Sequence, residues 1–372
     1  VRRGLSRREA LAAGSAAVLV GAAAPAPDSL DGLARARGVR FGTALGGRGL
    51  ADPAYRALVA AQCGALVAEN EHKLYSLMPQ AQGAWRFGPA DAIAAFAREN
   101  GMVLRGHTLV WNKDEFTPAW VRAHDFGGRD AAARWLTDYV KTVAGRYPQV
   151  QSWDVVNETV DPATGAERDT ALGRAVGPEL VELSFHAARE AAPNAKLVYN
   201  DYMGWGPYFA KHRAGVLKLL ERLKAKNVPV HALGIQGHIG GGVDEPEVAR
   251  FAAADQREWR AFLDEAKGMG LDLLITELDA NDKAMPSDIP RRDAEVAALT
   301  KAYLDLMLSY PEMKQVLVWG LADSYSWLQG TTPKPDKLPK RPTPYDAELR
   351  AKPMREAITA AFRAAPERTP WA

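Results

Sequence analysis

Cysteine is nearly absent. Cys63 stands alone in 372 residues, which excludes an intrachain disulfide and any zinc site built on thiolates. Its run, Ala61-Gln62-Cys63-Gly64-Ala65-Leu66-Val67, predicts a buried, unreactive thiol. The seven histidines show no H-E-x-x-H or comparable ligand spacing, so neither a catalytic metal nor another cofactor is expected. No G-x-G-x-x-G follows the first apolar run, and Gly46-Gly47-Arg48-Gly49 reads as a turn, which counts against a dinucleotide fold. Neither sign of charge dominates: 47 basic and 45 acidic residues are spread along the chain, without the stripe that binding nucleic acid requires. Repeats of solenoid period and a Ser/Pro linker to a second module are also missing.

The first residues read as an address. Ser6-Arg7-Arg8-Glu9-Ala10-Leu11 precedes a weakly apolar, Ala/Gly-rich stretch from Ala10 to Ala24 and then Pro25-Ala26-Pro27-Asp28, a pattern that resembles a twin-arginine export signal. The apolar stretch is too short and too alanine-rich for a stable membrane span. The expected division is a leader over residues 1–27 and one domain over 28–372, exported to the periplasm or beyond and free of the membrane afterwards.

With 47% apolar residues the chain can bury a large core. Eight short apolar runs predict strands, near Phe41 to Ala44, Ala65 to Ala68, Met102 to Gly106, Ser152 to Val156, Lys196 to Tyr199, Ala232 to Ile235, Leu271 to Ile275 and Gln315 to Trp319. Amphipathic stretches separate them, at Ala90 to Asn100, Asp130 to Tyr147, Gly177 to Ala191, Tyr208 to Lys226, Ala254 to Lys267 and Arg292 to Ser309. Several close on Gly or Pro, as at Asn100-Gly101 and Tyr147-Pro148. Strict βα alternation over eight strands favours a single closed (β/α)₈ TIM barrel, in the α/β class, over an open sheet.

In such a barrel the residues just past each strand converge on one mouth. They are Glu69, Asn70 and Lys73 after the second strand, His107 and Trp111 at the third, and Asn157 and Glu158 at the fourth. Asn200, Asp201 and Tyr202 follow the fifth, Gln236 and His238 the sixth, Glu277 and Asp279 the seventh, Trp319 and Trp327 the eighth. Two runs end in a carboxylate, Trp153-Asp154-Val155-Val156-Asn157-Glu158 and Ile275-Thr276-Glu277-Leu278-Asp279. Paired acids suggest sugar chemistry, because glycosidic cleavage needs one acid to protonate the leaving oxygen and a carboxylate on the opposite face of the anomeric carbon.

These two segments, with Glu69-Asn70-Glu71-His72-Lys73, Arg105-Gly106-His107-Thr108-Leu109-Val110-Trp111, Gly234-Ile235-Gln236-Gly237-His238 and Trp319-Gly320-Leu321-Ala322-Asp323-Ser324-Tyr325-Ser326-Trp327, resemble in order the motifs of glycoside hydrolase family 10, the retaining endo-β-1,4-xylanases. The resemblance runs from Phe41 to Phe362. It implies Glu158 as acid/base and Glu277 as nucleophile. Retention needs the two carboxyl groups about 5 to 5.5 Å apart, and repulsion at that distance favours a protonated Glu158 in the first step. By the same resemblance His238 hydrogen-bonds the nucleophile and is oriented by Asp279, and Asn157 donates to a sugar hydroxyl. Glu69, Asn70, Lys73, His107 and Gln236 would bind further hydroxyls, Trp111, Trp319 and Trp327 would present ring faces to pyranoses, and Tyr202 would stand on the leaving-group side. Trp85, Trp135 and Trp259 fall outside the motifs and read as core.

The sequence departs from the family pattern where Met, Trp and His are usual and His72, Leu74 and Asn112 stand here, which bears on the outer glycone contacts. Thr331 to Pro344, with repeated Pro and Lys, reads as a solvated spacer beside the cleft. The resulting expectation is a monomeric, metal-independent endo-1,4-β-xylanase acting on xylan and xylo-oligosaccharides. The alternatives are a retaining β-glycosidase for short xylo-oligosaccharides or β-1,4-glucan, and a non-catalytic carbohydrate-binding barrel.

Overall fold

The computed structural model describes residues 26–240, 251–331 and 333–371. The expected leader over residues 1–27 lies outside the described residues except for its last two. Among the described residues no helix is long and apolar enough to cross a membrane.

Eight parallel strands close into a barrel. β1 (Arg40–Leu45), β2 (Ala65–Ala68), β3 (Val103–Trp111), β4 (Val150–Asn157), β5 (Lys196–Asp201) and β6 (Ala232–Ile235) pair in chain order. A three-residue strand, β7 (His238–Gly240), follows β6 and pairs with the far end of β8 (Asp272–Asn281). β6 pairs directly with β8, β8 with β9 (Met313–Val318), and β9 with β1. Closure leaves no free edge in the barrel. Every predicted run falls in one of its strands or overruns it by a single residue, so the expected (β/α)₈ barrel is the observed one.

Strand periodicity divides the side chains into two shells. Phe41, Leu66, Leu197, Tyr199, Leu233, Leu273, Ile275 and Val316 face outward into the main core beneath the helices. Their neighbours point into the barrel. Ala44, Ala65, Val67 and Leu317 fill one part of the interior and Val198, Ala232 and Leu274 another. The interior also holds a buried ion pair, Arg105 with Asp154, and Arg105 Nε donates to Ser152 Oγ at 3.1 Å.

The predicted helices form at Gly88–Glu99, Arg129–Arg146, Leu180–Ala191, Ala210–Ala225, Ala253–Gly268 and Ile289–Met307. Two further barrel helices went unpredicted. Pro53–Gln62 begins on Asp52, whose side chain accepts from the N–H groups of Ala54 and Tyr55, with Pro53 in the first turn. Pro353–Ala364 buries Met354, Ala357, Ile358, Ala361 and Phe362 at helical spacing.

Three local expectations are corrected. Gly46 to Gly49 is not an isolated turn but enters a short helix, Gly47–Ala51. The expected solvated spacer holds only in part, because residues 335–339 are exposed while Lys334 and Lys340 on either side of them are buried. Lys334 Nζ donates to the carbonyls of Asp282 and Met285 at 3.0 and 2.9 Å, tying the segment to the chain that follows β8. The departures His72, Leu74 and Asn112 do not line the cleft. His72 packs against Tyr147 and Trp153, and burial pushes its ring down to about 3, so it stays neutral. Cys63 and Trp259 are fully buried as expected, and Trp85 and Trp135 pack on the main core.

Candidate active site

Strand pairing loses its regular register just where the polar residues begin. Breaks occur between His107 and Val110 in β3, between Asp154 and Val156 in β4, and between Ile275 and Leu278 in β8. Such irregularities re-aim side chains, and here they fall beside His107, Asn157 and Glu277 at the barrel mouth. Room for the polar set comes from Gly234, since a Cβ there would stand 2.3 Å from Asn200 Oδ1.

Glu277 is buried, and each of its oxygens has a nitrogen partner. Asn200 Nδ2 donates to Oε1 at 2.9 Å, and His238 Nε2 meets Oε2 at 3.3 Å. His107 Nε2 lies 4.0 Å from Oε1. Burial pushes the carboxyl up, but His107, His238 and Lys73 together outweigh it and hold Glu277 at about 2. His238 Nδ1 stands 3.0 Å from Asp279 Oδ1. Burial alone would lower the ring, yet Asp279 and then Glu277 raise it to about 10, so it is an imidazolium at neutral pH. Trp327 Nε1 fixes the other oxygen of Asp279 at 2.8 Å. His107 Nδ1 in turn lies 2.9 Å from Asp154 Oδ2, which links the mouth to the ion pair inside the barrel.

Glu158 follows the last residue of β4 and has a left-handed backbone, φ 54°. Gln236 Nε2 donates to its Oε1 at 2.8 Å and Asn157 Nδ2 at 3.3 Å. Lys113 Nζ lies 3.4 Å from Oε2. Asn157 Oδ1 accepts from Asn200 Nδ2 at 2.9 Å. The reverse orientation of the Asn157 amide would set its NH₂ against that same nitrogen, which Glu277 already commits as a donor. Asn200 Oδ1 accepts from Thr276 Oγ1 at 2.7 Å, completing a series of amides from one carboxylate to the other.

The two acids share a cleft of about 630 Å³. Among the sequence-predicted residues, Glu69, Asn70, Lys73, His107, Trp111, Asn157, Glu158, Tyr202, Gln236, His238, Glu277, Trp319 and Trp327 all line it. Asp279 stands behind His238. Lys73 Nζ donates to Asn70 Oδ1 at 3.1 Å and lies 4.6 Å above the Trp111 ring. Burial lowers the Lys73 ammonium, against the upward pull of Glu277 and Glu158. Trp111 also stacks on Phe116 at 3.6 Å, so its ring is a wall packed on both sides rather than a free face. Trp319 sits edge-on to His107, and Trp327 is tilted against His238.

Several cleft residues escaped the sequence reading: Tyr75, Lys113, Phe116, Trp205, Tyr208 and Phe209. Tyr75 donates to Asn70 Oδ1 at 2.7 Å, and Phe116 lies five residues past Trp111, at the end of the short 3₁₀ turn Asp114–Phe116, which has no strand periodicity. Only proximity to a motif could have flagged Lys113, which follows Trp111 by two positions. Asn200 was recognised as a mouth residue, but nothing in the sequence marks it as the junction between the acids.

Fold and site define a class: a closed parallel barrel with two carboxylates joined by amides in one open cleft at its mouth. The chain belongs to glycosyl hydrolase family 10, whose model matches residues 29–361. It is 34% identical over 310 residues to endo-1,4-beta-xylanase A of Caldicellulosiruptor sp. (strain Rt8B.4), covering 79% of this chain and 43% of that protein. It thus spans under half the length of that relative. With endo-1,4-beta-xylanase B of Paenibacillus barcinonensis the identity is 33% over 317 residues, covering 79% of this chain and 87% of the other. The crystal structure of xylanase 10B from Thermotoga petrophila RKU-1 in complex with xylobiose superposes with a TM-score of 0.79 at 28% identity, covering 90% of this chain and 97% of that one.

Proposed function

We propose that this chain is an endo-1,4-β-xylanase that hydrolyses internal bonds of xylan with retention of configuration. The observation that carries the reading is the pairing of Glu277, held ionised at about 2, with Glu158 in one cleft through Gln236, Asn157 and Asn200. Similarity to proteins named as xylanases, and to a xylanase solved with xylobiose, supports the substrate.

In the first step a Glu277 oxygen bonds to the anomeric carbon as the glycosidic C–O bond breaks, and Glu158 gives its proton to the departing oxygen. In the second step water attacks that carbon, its proton passes to the Glu158 carboxylate, and Glu277 leaves. The imidazolium of His238, fixed by Asp279, steadies the charge on Glu277 before attack and on release. Asn157, Glu69, Asn70, Lys73, His107 and Gln236 serve as hydroxyl partners, Trp319 and Trp327 as apolar walls, and Tyr202 stands on the leaving-group side. Export through the twin-arginine route, on Arg7 and Arg8, belongs to the same reading and is checked by the fate of an Arg7→Lys, Arg8→Lys pair in a Tat-competent bacterium.

Product analysis on glucuronoxylan, carboxymethylcellulose and defined xylo-oligosaccharides, beside Glu158→Ala and Glu277→Ala, tests the activity. Short xylo-oligosaccharides from xylan with the wild type alone are expected, and early NMR spectra should contain the β-anomer. Turnover confined to small oligosaccharides or cellulose would assign a different glycosidase. Xylan binding without turnover would assign a carbohydrate-binding barrel.

A further inference from the structure

A non-glycine residue at φ 54° is strained, and Glu158 holds that conformation at the point where β4 enters its loop. Something must hold it there. Its N–H donates to the Asn200 carbonyl at 3.0 Å, continuing the ladder to β5. Its own carbonyl accepts from Arg168 Nε at 2.9 Å. The same guanidinium donates through Nη2 to the Tyr202 hydroxyl at 2.8 Å, while Nη1 lies 3.4 Å from Asp161 Oδ2. The Arg168 N–H closes the loop by donating to the Thr159 carbonyl at 2.7 Å. Thr159 Oγ1 accepts from Asn112 Nδ2 at 2.7 Å, and Thr170 Oγ1 donates to Asn112 Oδ1 at 2.7 Å. Asn112, one of the departures from the family pattern, thus fastens both ends of this loop.

Arg168 does not line the cleft, whereas Glu158 and Tyr202 do. The geometry points to Arg168 as a positioning residue that holds the Glu158 main chain in its left-handed turn, aims the carboxyl at the leaving oxygen, and ties it to Tyr202 on the leaving-group side. The inference rests on Glu158 being the acid/base. A planar cation with donors on two edges is the side chain suited to the task, since it engages a carbonyl and a phenol together. Without it the turn relaxes and the proton donor moves off line while Glu277, held from β5 and β7, stays in place.

The test uses Arg168→Met and Arg168→Lys in the full chain with two aryl β-xylobiosides. Phenol is a poor leaving group that needs protonation, and 2,4-dinitrophenolate departs without it. Active enzyme is counted with a 2-fluoro-xylobioside carrying dinitrophenolate, which traps the nucleophile. For Arg168→Met we expect kcat/KM on the phenyl substrate to fall about 10- to 100-fold, part of the ~10²–10⁴ that a general acid supplies. On the dinitrophenyl substrate the change should stay within about twofold, with the trapping rate unchanged. Arg168→Lys should recover part of the phenyl activity. Equal losses on both substrates, or no loss on either, would overturn the role. A Glu158→Ala control separates the two failures. If it is leaving-group selective and Arg168→Met is not, the positioning role alone falls; if Glu158→Ala treats both substrates alike, the acid assignment falls and takes this role with it.

Discussion

Asp279 and His238 stand 3.0 Å apart, and their pairing sets the charge that faces Glu277. Asp279 is fully buried and is held from its other side by Trp327. In Asp279→Asn the ring loses its principal counter-charge, and its pKa should drop from about 10 toward the ordinary histidine range. The titration of the ring, followed by NMR of its nitrogens, then moves to lower pH. With the imidazolium lost at pH 8, Glu277 loses the charge that steadies it and kcat/KM should fall. An unmoved ring titration would show that Asp279 does not set the charge of His238.

The same group makes stability depend on pH. Its folded value of about 10 lies above the unfolded value near 6.5, so folding favours the protonated ring. That contribution is fully present below about 6.5 and is lost as pH rises through about 10. Urea denaturation of wild type and His238→Gln at intervals from pH 6 to 10.5 should therefore give a difference that shrinks with rising pH. A constant difference would remove the linkage.

The barrel was legible because each strand carries a short apolar run whose alternate residues are buried on both sides, and each predicted run lies in a strand or overruns it by a single residue. The acids were legible because they stand at the ends of those runs. The loops were not. Lys334 and Lys340 look like solvated charges in sequence, yet long stems and carbonyl partners bury them. Asn112 sits within a strand-end motif, but its partners Thr159 and Thr170 lie 47 and 58 positions away, a separation that no local pattern reports. The left-handed backbone of Glu158 has no signal either, because a glycine would ordinarily mark it.

At the opposite mouth of the barrel one side chain, Trp371, plugs part of the interior core. Trp371 packs on Val198, Ala232 and Leu274, and its Nε1 donates to Asp272 Oδ2 at 2.7 Å. Trp371→Ala removes apolar contact and a charge-assisted hydrogen bond, a loss of about 2 kcal/mol. The melting temperature should fall by roughly 3 °C. Because Asp272 and Ala232 begin their strands while Glu277 stands further along β8 and Glu158 follows the last residue of β4, kcat/KM should change by less than about twofold. A large loss of activity without loss of stability would contradict the plug.

Asn200 carries the sharpest prediction, because one nitrogen serves two acceptors. Nδ2 faces Asn157 Oδ1 and Glu277 Oε1, each at 2.9 Å, while Oδ1 takes the Thr276 hydroxyl. Asn200→Ala removes the donor and should lower kcat/KM by about 10- to 100-fold, with the loss in kcat if the contact strengthens as charge leaves Glu277. Asn200→Asp is nearly the same shape and chemically opposite. An ionised Asp at this position sets oxygen against oxygen at both contacts and places a like charge beside Glu277, which raises the proton affinity of the pair. At pH 7 this variant should be worse than Asn200→Ala. On acidification the shared proton returns a donor to the gap, so the deficit of Asn200→Asp should narrow below about pH 5 while that of Asn200→Ala stays constant. Parallel pH–rate profiles of the two variants decide the matter: matching curves would mean that Asn200 only fills space, and curves that draw together only on acidification would mean that its N–H holds the two acids in register.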